Sequence, residues 1–409
     1  MLKEKDTGIL RTLSEEYAHF AFDPKQKEVR ALWKKLNALK MERPLLTIDQ
    51  IPWNEMDIDG FLNLEIEDPY WRNVEWGLRT TIYKMRYMPA DTCLTPYICL
   101  PKPIHNTGWG VEPVEKNHIS LESGSTAPSR EYANQFETMD DLEKIKTPVL
   151  TLNVQKEDEI RQQADLIFPG IIDYRMTGLI MHLGVWDWIA QWMGVENCYL
   201  MLMDEPEIMH AMMEKLTLGV IDMIGQMNRQ KLFDIHSGTC HCSHTAMDDF
   251  PRDNAGEISK NAWAFGLAQL FTCVSPRITD EFEVQYMKRV FPHFGYIYYG
   301  CCDRLDDRMD VIRKLPNIKK LSMSPWNDRE RFSETMPDHC VMSAKPNPAF
   351  LAMGTLDEPL IRRDIQKTIA AAKAYGRNLE FLLKDISTVS HNPACLFRWQ
   401  EIVMEELMR

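Results

Sequence analysis

The stretch GYIYYGCCDRLDDRMDVIRKLPNIKKLSMS, residues Gly295–Ser324, decides the fold. It contains two short apolar runs, Gly295–Cys301 and Ile318–Ser324, and a helical pattern over Leu305–Lys314 lies between them. Short strands that alternate with helices are typical of a parallel sheet with helices packed on it. This stretch therefore predicts two parallel strands that are connected by a helix.

The same alternation extends along most of the chain. Apolar runs that predict strands occur at Leu45–Ile48, Cys93–Cys99, Gly170–Arg175, Lys231–His236, Gly295–Cys301, Ile318–Ser324, Cys340–Ser343 and Leu379–Asp385. Helical patterns occur at Lys25–Leu39, Asp204–Met227, Ser275–Phe291, Leu305–Lys314, Asp357–Tyr375 and Pro393–Met408. Eight strands that alternate with helices predict an α/β protein with a (β/α)8 TIM barrel, although a doubly wound sheet would show a similar pattern.

The domain organisation follows from the same pattern. We expect one domain over residues 1–409, with an N-terminal helical extension over residues 1–42. Residues 101–147 are polar and rich in Gly, Pro, Ser, Asn and Glu. We expect this segment to be an insertion after the second strand and to act partly as a lid.

Composition and charge exclude several classes of partner. The chain has 47 Lys and Arg against 60 Asp and Glu, a formal charge of −13, which argues against nucleic acids and anionic membranes. The opening MLKEKDTGILRTLSEEY has no signal-peptide core, and the most apolar stretch, Leu179–Met203, is interrupted by polar residues and predicts a buried helix. Ten irregularly spaced cysteines predict reduced thiols and a cytoplasmic protein. The oligomeric state stays open, a homo-oligomer included.

A metal site is the first candidate for chemistry. In a parallel barrel the functional groups gather where the strands end. Cys301-Cys302 follows a predicted strand, and we expect only one of the two to face the cleft while that strand continues. Upstream, HSGTCHCSH, His236–His244, offers several nitrogen and sulfur donors. The alternative is that both cysteines are buried apolar residues and that the loop histidines bind the backbone.

A composite of these elements would suit zinc. Cys301 with His241 or Cys242, completed by Asp385, gives three protein ligands and one open position, as in catalytic zinc sites.

Other candidates lie near the predicted strand ends. As catalytic groups we expect Asp49, Glu55 and Tyr299 in addition to Asp385. As substrate-binding residues we expect Trp53, Tyr97, Arg175 and Lys384. The aromatic members, together with Trp109, would suit a planar or hydrophobic ligand, unless they are simply core. Lys384 has an internal ion pair with Asp385 as its alternative role, and Lys345 is expected in a structural turn.

Five segments resemble one known superfamily. They are Tyr298–Phe332, MSAKPNPAFL (Met342–Leu351), LLKDISTVSHNP (Leu382–Pro393), RPLLTIDQIPWNEM (Arg43–Met56) and WMGVENCYLMLMDEPEIM (Trp192–Met209). Together they resemble the uroporphyrinogen decarboxylase-like superfamily, and within it the branch of corrinoid-linked methyltransferases. The resemblance covers nearly the whole chain and implies a (β/α)8 barrel whose active cleft lies at the strand C-termini.

The chain departs from both branches of that superfamily. The decarboxylases carry two substrate-binding arginines in the first strand, where this chain has Asp49 and Trp53. A porphyrinogen with eight carboxylates needs cationic partners, so we exclude porphyrinogen decarboxylation. The methyltransferase branch binds zinc through His-x-Cys and a later Cys. Here the tripeptide is Tyr299-Gly300-Cys301, and the later position falls at Lys384-Asp385.

The resemblance implies methyl transfer. We expect an enzyme that takes a methyl group from a small methylated compound, an aryl methyl ether for example, and passes it to a corrinoid carried by a partner protein. Cys301 and the upstream loop would hold zinc, Asp385 or Glu55 would act as the acid, and Tyr299 would donate a hydrogen bond. Two alternatives stay open: a lyase or decarboxylase that acts on a small carboxylic acid, and a non-catalytic barrel that binds a tetrapyrrole or corrinoid.

Overall fold

The protein is an α/β structure. In the computed structural model, residues 2–119, 129–248, 250 and 257–409 are described. The strands are β1 Leu45–Ile48, β2 Tyr97–Pro101, β3 Ile104–Asn106, β4 Glu115–Ile119, β5 Ser129–Tyr132, β6 Leu150–Leu152, β7 Asp173–Thr177, β8 His182–Leu183, β9 Thr239–Cys240, β10 Ser243–His244, β11 Trp263–Gly266, β12 Tyr296–Tyr299, β13 Ile318–Met323, β14 Val341–Ala344 and β15 Leu379–Leu383. The helices are α1 Glu4–Ala21, α2 Pro24–Asn37, α3 Pro69–Tyr87, α4 Val154–Ile167, α5 Val185–Met193, α6 Val195–Asp204, α7 Pro206–Gln230, α8 Pro276–Thr279, α9 Gln285–Val290, α10 Met309–Ile312, α11 Arg329–Thr335, α12 Glu358–Ala374 and α13 Pro393–Leu407.

A seven-stranded parallel sheet forms the centre of the molecule. Its order is β1-β15-β14-β13-β12-β11-β8, and every neighbouring pair runs parallel. A separate parallel pair, β2 and β7, adjoins it, because only Gly178–Met181 separate β7 from β8. Since all of these strands run parallel to their neighbours, the loops that follow β12 and β15 emerge at the same edge of the sheet.

No strand pairing joins β1 to β2 among the described residues. Asp91, from the segment that leads into β2, hydrogen-bonds to β1 instead. Its backbone N–H donates to the Leu46 carbonyl at 3.0 Å, and its carboxylate accepts the Leu46 N–H at 2.9 Å. Arg43 holds the same carboxylate through two hydrogen bonds, of 2.6 and 3.0 Å. The strands therefore follow the order and direction of a barrel, but their described pairings form two separate parallel sheets and no closed barrel.

Most predicted strands are confirmed, and one is wrong. Lys231–His236 contributes only an isolated bridge between Phe233 and Leu179. The Asp234 carboxylate accepts the N–H groups of His236 and Ser237, at 2.7 and 3.0 Å, and this turn ends the run. The fourth parallel strand is β11, Trp263–Gly266, which was not predicted from the sequence.

Several helices begin at a capping residue. Asp23 precedes Pro24 and accepts the N–H of Lys25, which confirms the predicted helix over α2. Asp68 and Pro69 start α3 in the same way. No helix in the described part of the chain is long and apolar enough to cross a membrane.

Residues 101–147 include the strands β3, β4 and β5 and a short 3-10 helix, Met139–Lys144. Trp109 from this segment is buried and lies 5.1 Å, ring centre to ring centre, from Trp188. A Cβ at Gly219 of α7 would lie 2.6 Å from the Trp109 ring, so the glycine permits the contact. Trp109 thus serves the core.

Candidate functional site

Three potential metal-binding atoms meet at the rim where β12 and β15 end. The Cys301 and Cys302 sulfurs are 3.7 Å apart, and the Cys302 thiol donates to the Asp385 Oδ2 at 3.1 Å. One ligand atom from each of the three residues lies within 4.8 Å of the others. Cys301 is buried, whereas Cys302 and Asp385 are exposed, so the cluster has one protected side and one side open to ligands.

Both sulfurs face the same side because the strand stops before them. β12 ends at Tyr299, and Gly300 follows with φ +88°, a conformation that favours glycine. A Cβ at Gly300 would also lie 2.8 Å from the Leu305 side chain. The turn beyond it is held by Asp303, whose carboxylate accepts the Cys301 N–H at 2.6 Å. The expectation that only one cysteine faces the cleft assumed a continuing strand, and it does not apply here.

Two lysines surround the buried cysteine. Lys384 Nζ lies 3.1 Å from the Cys301 sulfur and 2.9 Å from the Asp385 carboxylate. Lys345 Nζ donates to the Cys301 carbonyl at 2.6 Å. Burial by itself would lower the pKa of Lys384, but the Cys301 thiolate and Asp385 outweigh it and raise that pKa. Lys345, expected in a structural turn, is buried beside the site, and burial lowers its pKa.

These neighbours favour a thiolate at Cys301. The contact with the Cys302 sulfur has the largest effect and lowers the pKa of Cys301, while burial opposes it. His241, Lys345 and Lys384 lower this pKa further. The pKa of Cys302 rises in turn, first because of its contact with Cys301. The pair thus shares one proton, which stays on Cys302.

The upstream His-Cys run forms a tight hairpin that reaches this site. Cys240 pairs with Ser243, so His241 and Cys242 are the two turn residues. Both have positive φ, +45° and +66°, as in a type I′ turn, which normally uses Asn-Gly. Side chains other than Gly or Asn cost about 1–3 kcal/mol each in this region. Such strain is typical of functional sites, and it places His241 beside Cys301.

His241 is held as a neutral imidazole. Its ring stacks on Phe265, with centroids 3.6 Å apart and planes at 12°. Burial is the main cause that lowers the pKa of His241 to about 4, although the Cys301 contact opposes it. Its Nε2 lies 3.5 Å from Lys345 Nζ. A neutral imidazole next to a thiolate is suited to metal binding.

A buried ion pair holds the base of the hairpin. Lys320 Nζ, which is almost inaccessible to solvent, donates to the Ser243 hydroxyl at 2.7 Å and to Glu380 at 2.6 Å. It also donates to the His244 carbonyl at 3.0 Å. Lys320 and Glu380 belong to β13 and β15, so these contacts fasten the hairpin to the central sheet.

The donor set fits zinc. Two sulfurs, a carboxylate and a nearby imidazole are the ligand types of catalytic zinc sites, which keep one position open. Cys301, Cys302 and Asp385 would hold the ion, with His241 alongside. Lys384 donates to the same thiolate and carboxylate, so its ammonium group competes with a dication for these two ligands.

Several predicted residues lie elsewhere. The Tyr299 hydroxyl is buried and donates to a Glu283 carboxylate oxygen at 3.4 Å. Glu55 accepts three donors: the Thr388 hydroxyl and the N–H groups of Val389 and His391, at 2.9, 2.8 and 3.0 Å. Burial raises the pKa of Glu55, but these donors outweigh it and lower the pKa overall, so the carboxylate stays ionised. Glu55 thus fixes the loop after β15.

Three further predicted residues are also away from the sulfurs. Trp53 packs edge-on against Trp76 and Tyr83, with ring centroids 5.8 and 5.7 Å away. Tyr97 begins β2, whereas the sequence analysis placed it near the end of the second strand. Arg175 lies 4.1 Å over the Tyr97 ring, and both contact His236. Tyr97, Arg175 and His236 therefore meet at the start of β2, whereas Tyr97 was expected at the end of that strand.

Asp49 and Cys242 line a cavity of about 410 Å³ beside the gap between β1 and β2. Cys242 therefore faces this cavity, while its neighbour His241 contacts Cys301. Burial, followed by the Asp49 charge, raises the pKa of Cys242 to about 12, so its thiol stays protonated.

Three residues at the rim were not assigned a site role from the sequence: Cys302, named only as one of a pair of which one was expected to face the cleft, and His182 and Asp187. His182 Nε2 lies 3.9 Å from the Asp187 carboxylate. Burial, then the charges of Cys301 and Asp303, raise the pKa of Asp187 to about 7. Both residues fall in Leu179–Met203, which was interpreted as a buried helix. The polar interruptions of that stretch were the signal that could have identified them.

Comparisons with known proteins leave the family open. No protein family matches the chain, and no curated protein matches it. Among solved structures, one described as a "methyltransferase from Methanosarcina mazei" is 10% identical and aligns over 91% of this chain and 97% of its own, with a TM-score of 0.48. A likeness at this TM-score is too weak to support an argument about function.

Proposed function

We propose that this chain is a methyltransferase. It would take a methyl group from a small methylated compound and pass it to the cobalt of a corrinoid carried by a partner protein. The observation that supports the proposal is the cluster of Cys301, Cys302 and Asp385, whose ligand atoms lie within 4.8 Å of one another beside His241. The resemblance of five sequence segments to corrinoid-linked methyltransferases supports the same activity.

The residues at the rim suit removal of a methyl group. When the methyl carbon passes to cobalt, the bond to its oxygen or nitrogen breaks, and that atom leaves with the electron pair. A zinc ion bound by Cys301, Cys302 and Asp385 would supply Lewis-acid activation of the leaving atom. Asp187, whose pKa is raised to about 7, can hold a proton at neutral pH and donate it there. Lys384 would keep Asp385 oriented through their 2.9 Å contact.

The alternative activities have less support. A lyase or decarboxylase would use Asp49, Glu55, Arg175 and Lys384. Glu55 is occupied by three donors, and Arg175 lies with Tyr97 and His236. No observation brings this set together.

We also propose that the parallel strands act as one (β/α)8 barrel. The strands in order are β1, β2, the β7–β8 pair, and β11 to β15. All ten cysteines are free, which supports a reducing, cytoplasmic setting.

Cobalamin methylation tests the activity. Purified protein is incubated with cob(I)alamin and a panel of methoxylated aromatics and methylamines, and methylcobalamin is followed by absorbance. We expect one compound to be turned over, and Cys302→Ser to lower the rate by about 100-fold. Cys273→Ser, an exposed thiol, is the matched control and should retain the rate. A panel without turnover, or full activity of Cys302→Ser, would contradict the proposal.

A further inference from the structure

The cavity beside the strand gap has a mainly apolar wall that carries two opposite charges. Its volume is about 410 Å³, and its wall includes Asp49 from the end of β1 and Lys84 from α3. The hydroxyls of Thr47, Thr92 and Thr95 belong to the same wall. A space of this size and polarity is in the range of small-molecule sites.

The two charges have no protein counterion. In the part of the chain that the structure describes, neither Asp49 nor Lys84 takes part in an ion pair. Both side chains are partly exposed, and among the described residues the Asp49 carboxylate accepts only the N–H of its neighbour Gln50, at 2.6 Å. A carboxylate and an ammonium that line one cavity offer complementary contacts to a ligand that carries both a positive and a negative group.

The helix α3, which lines this cavity, has a glycine on the side that faces it. Asn73, Gly77, Thr81 and Lys84 lie along one side of α3 and line the cavity. A glycine inside a helix costs about 1 kcal/mol relative to alanine. A Cβ at Gly77 would meet nothing within 4 Å, so no packing contact requires the glycine. The absent side chain keeps the cavity open.

We propose that this cavity binds a small zwitterion of the amino-acid class, with its ammonium group at Asp49 and its carboxylate at Lys84. Threonine hydroxyls would meet its remaining polar atoms. The cavity adjoins the sulfur cluster: Cys242 lines the cavity, while its neighbour His241 contacts Cys301. The proposal does not depend on methyl transfer, because binding is measured without turnover.

Calorimetric titration with a series of ω-amino acids tests the site. The series glycine, β-alanine, γ-aminobutyrate and δ-aminovalerate varies the distance between the two charges. We expect at least one member to bind with a Kd below about 1 mM. Butyrate and propylamine, which each lack one charge of γ-aminobutyrate, should bind at least tenfold more weakly than the best member of the series.

Variants separate this site from nonspecific binding. Asp49→Asn and Lys84→Gln should each weaken binding at least tenfold, whereas Lys27→Gln, a surface change on α2, should not. Gly77→Leu should abolish binding without lowering the Tm, because it fills the space and improves the helix. Gly8→Leu makes the same change in α1, where a Cβ also meets nothing within 4 Å, and should leave binding intact. Failure of the whole series to bind the wild type, or unchanged binding to Gly77→Leu, would overturn the proposal.

Discussion

At the residue scale, the charge on each group at the rim depends on its immediate neighbours. Cys301 is buried, which alone would keep its thiol protonated. The adjacent Cys302 thiol, His241 and two lysines reverse this and lower the pKa of Cys301. Asp187 shows the opposite balance, since burial and nearby negative charge raise its pKa. One nucleophilic or metal-binding anion therefore lies near one proton donor.

The thiolate can be detected directly. The ordinary pKa of a free cysteine is about 8.5. We expect the folded protein to keep a thiolate absorbance in the ultraviolet well below this pH. This signal should be absent in Cys301→Ser and unchanged in Cys273→Ser. A thiolate signal that appears only above pH 8 in the wild type would show that Cys302, His241 and the lysines do not stabilise the anion.

Asp187 predicts a pH dependence of stability. The folded state keeps its proton up to about pH 7, whereas the unfolded chain releases it near its ordinary pKa of 3.8. The unfolded state therefore binds fewer protons in this window, and the contribution of Asp187 to the free energy of unfolding falls as the pH rises from 4 to 7. Asp187→Asn has no carboxylate that titrates at this position, so its free energy of unfolding does not show this decrease. Urea denaturation should show the variant gaining on the order of 2 kcal/mol relative to wild type between these pH values. A difference that does not change with pH would contradict the shifted pKa.

At the element scale, the hairpin β9–β10 depends on its anchor in the central sheet. Its turn is strained at two residues, and its own pairing consists of two short strands. Short hairpins are marginally stable without packing. The contacts of Lys320 with Ser243, His244 and Glu380 are therefore needed to keep His241 beside Cys301.

A double-mutant cycle tests this anchor. Lys320→Met leaves Glu380 buried without a counterion and should cost about 3–5 kcal/mol in the free energy of unfolding. Lys320→Met combined with Glu380→Gln removes both charges and should cost less than the sum of the single changes. Additive effects in urea denaturation would show that the two residues do not act as a pair.

At the scale of the whole molecule, strand and helix periodicity was enough to predict parallel α/β architecture. Strands β1 and β12 to β15 lie where their apolar runs predicted. Cys301 and Asp385 were expected at one rim because parallel strands end at the same edge of a sheet. These predictions were correct because they depend on the local hydrophobic pattern of each strand and on the parallel direction of the strands.

The rest depended on features that periodicity does not encode. β2 begins several residues later than predicted, which places Tyr97 at its start. Glu55 fixes a loop because three hydrogen-bond donors contact its carboxylate. The hairpin reaches Cys301 only because a turn with two positive φ values replaces an ordinary loop. Contacts between residues distant in sequence decided these outcomes.

Metal stoichiometry tests the central claim most directly, namely that Cys301, Cys302 and Asp385 form one metal site. Protein purified from zinc-supplemented medium should contain close to one zinc per chain by elemental analysis. Cys302→Ser and Asp385→Ala should each lose most of it, while Cys273→Ser should retain it. A wild-type chain without zinc, or full occupancy in both Cys302→Ser and Asp385→Ala, would contradict the account.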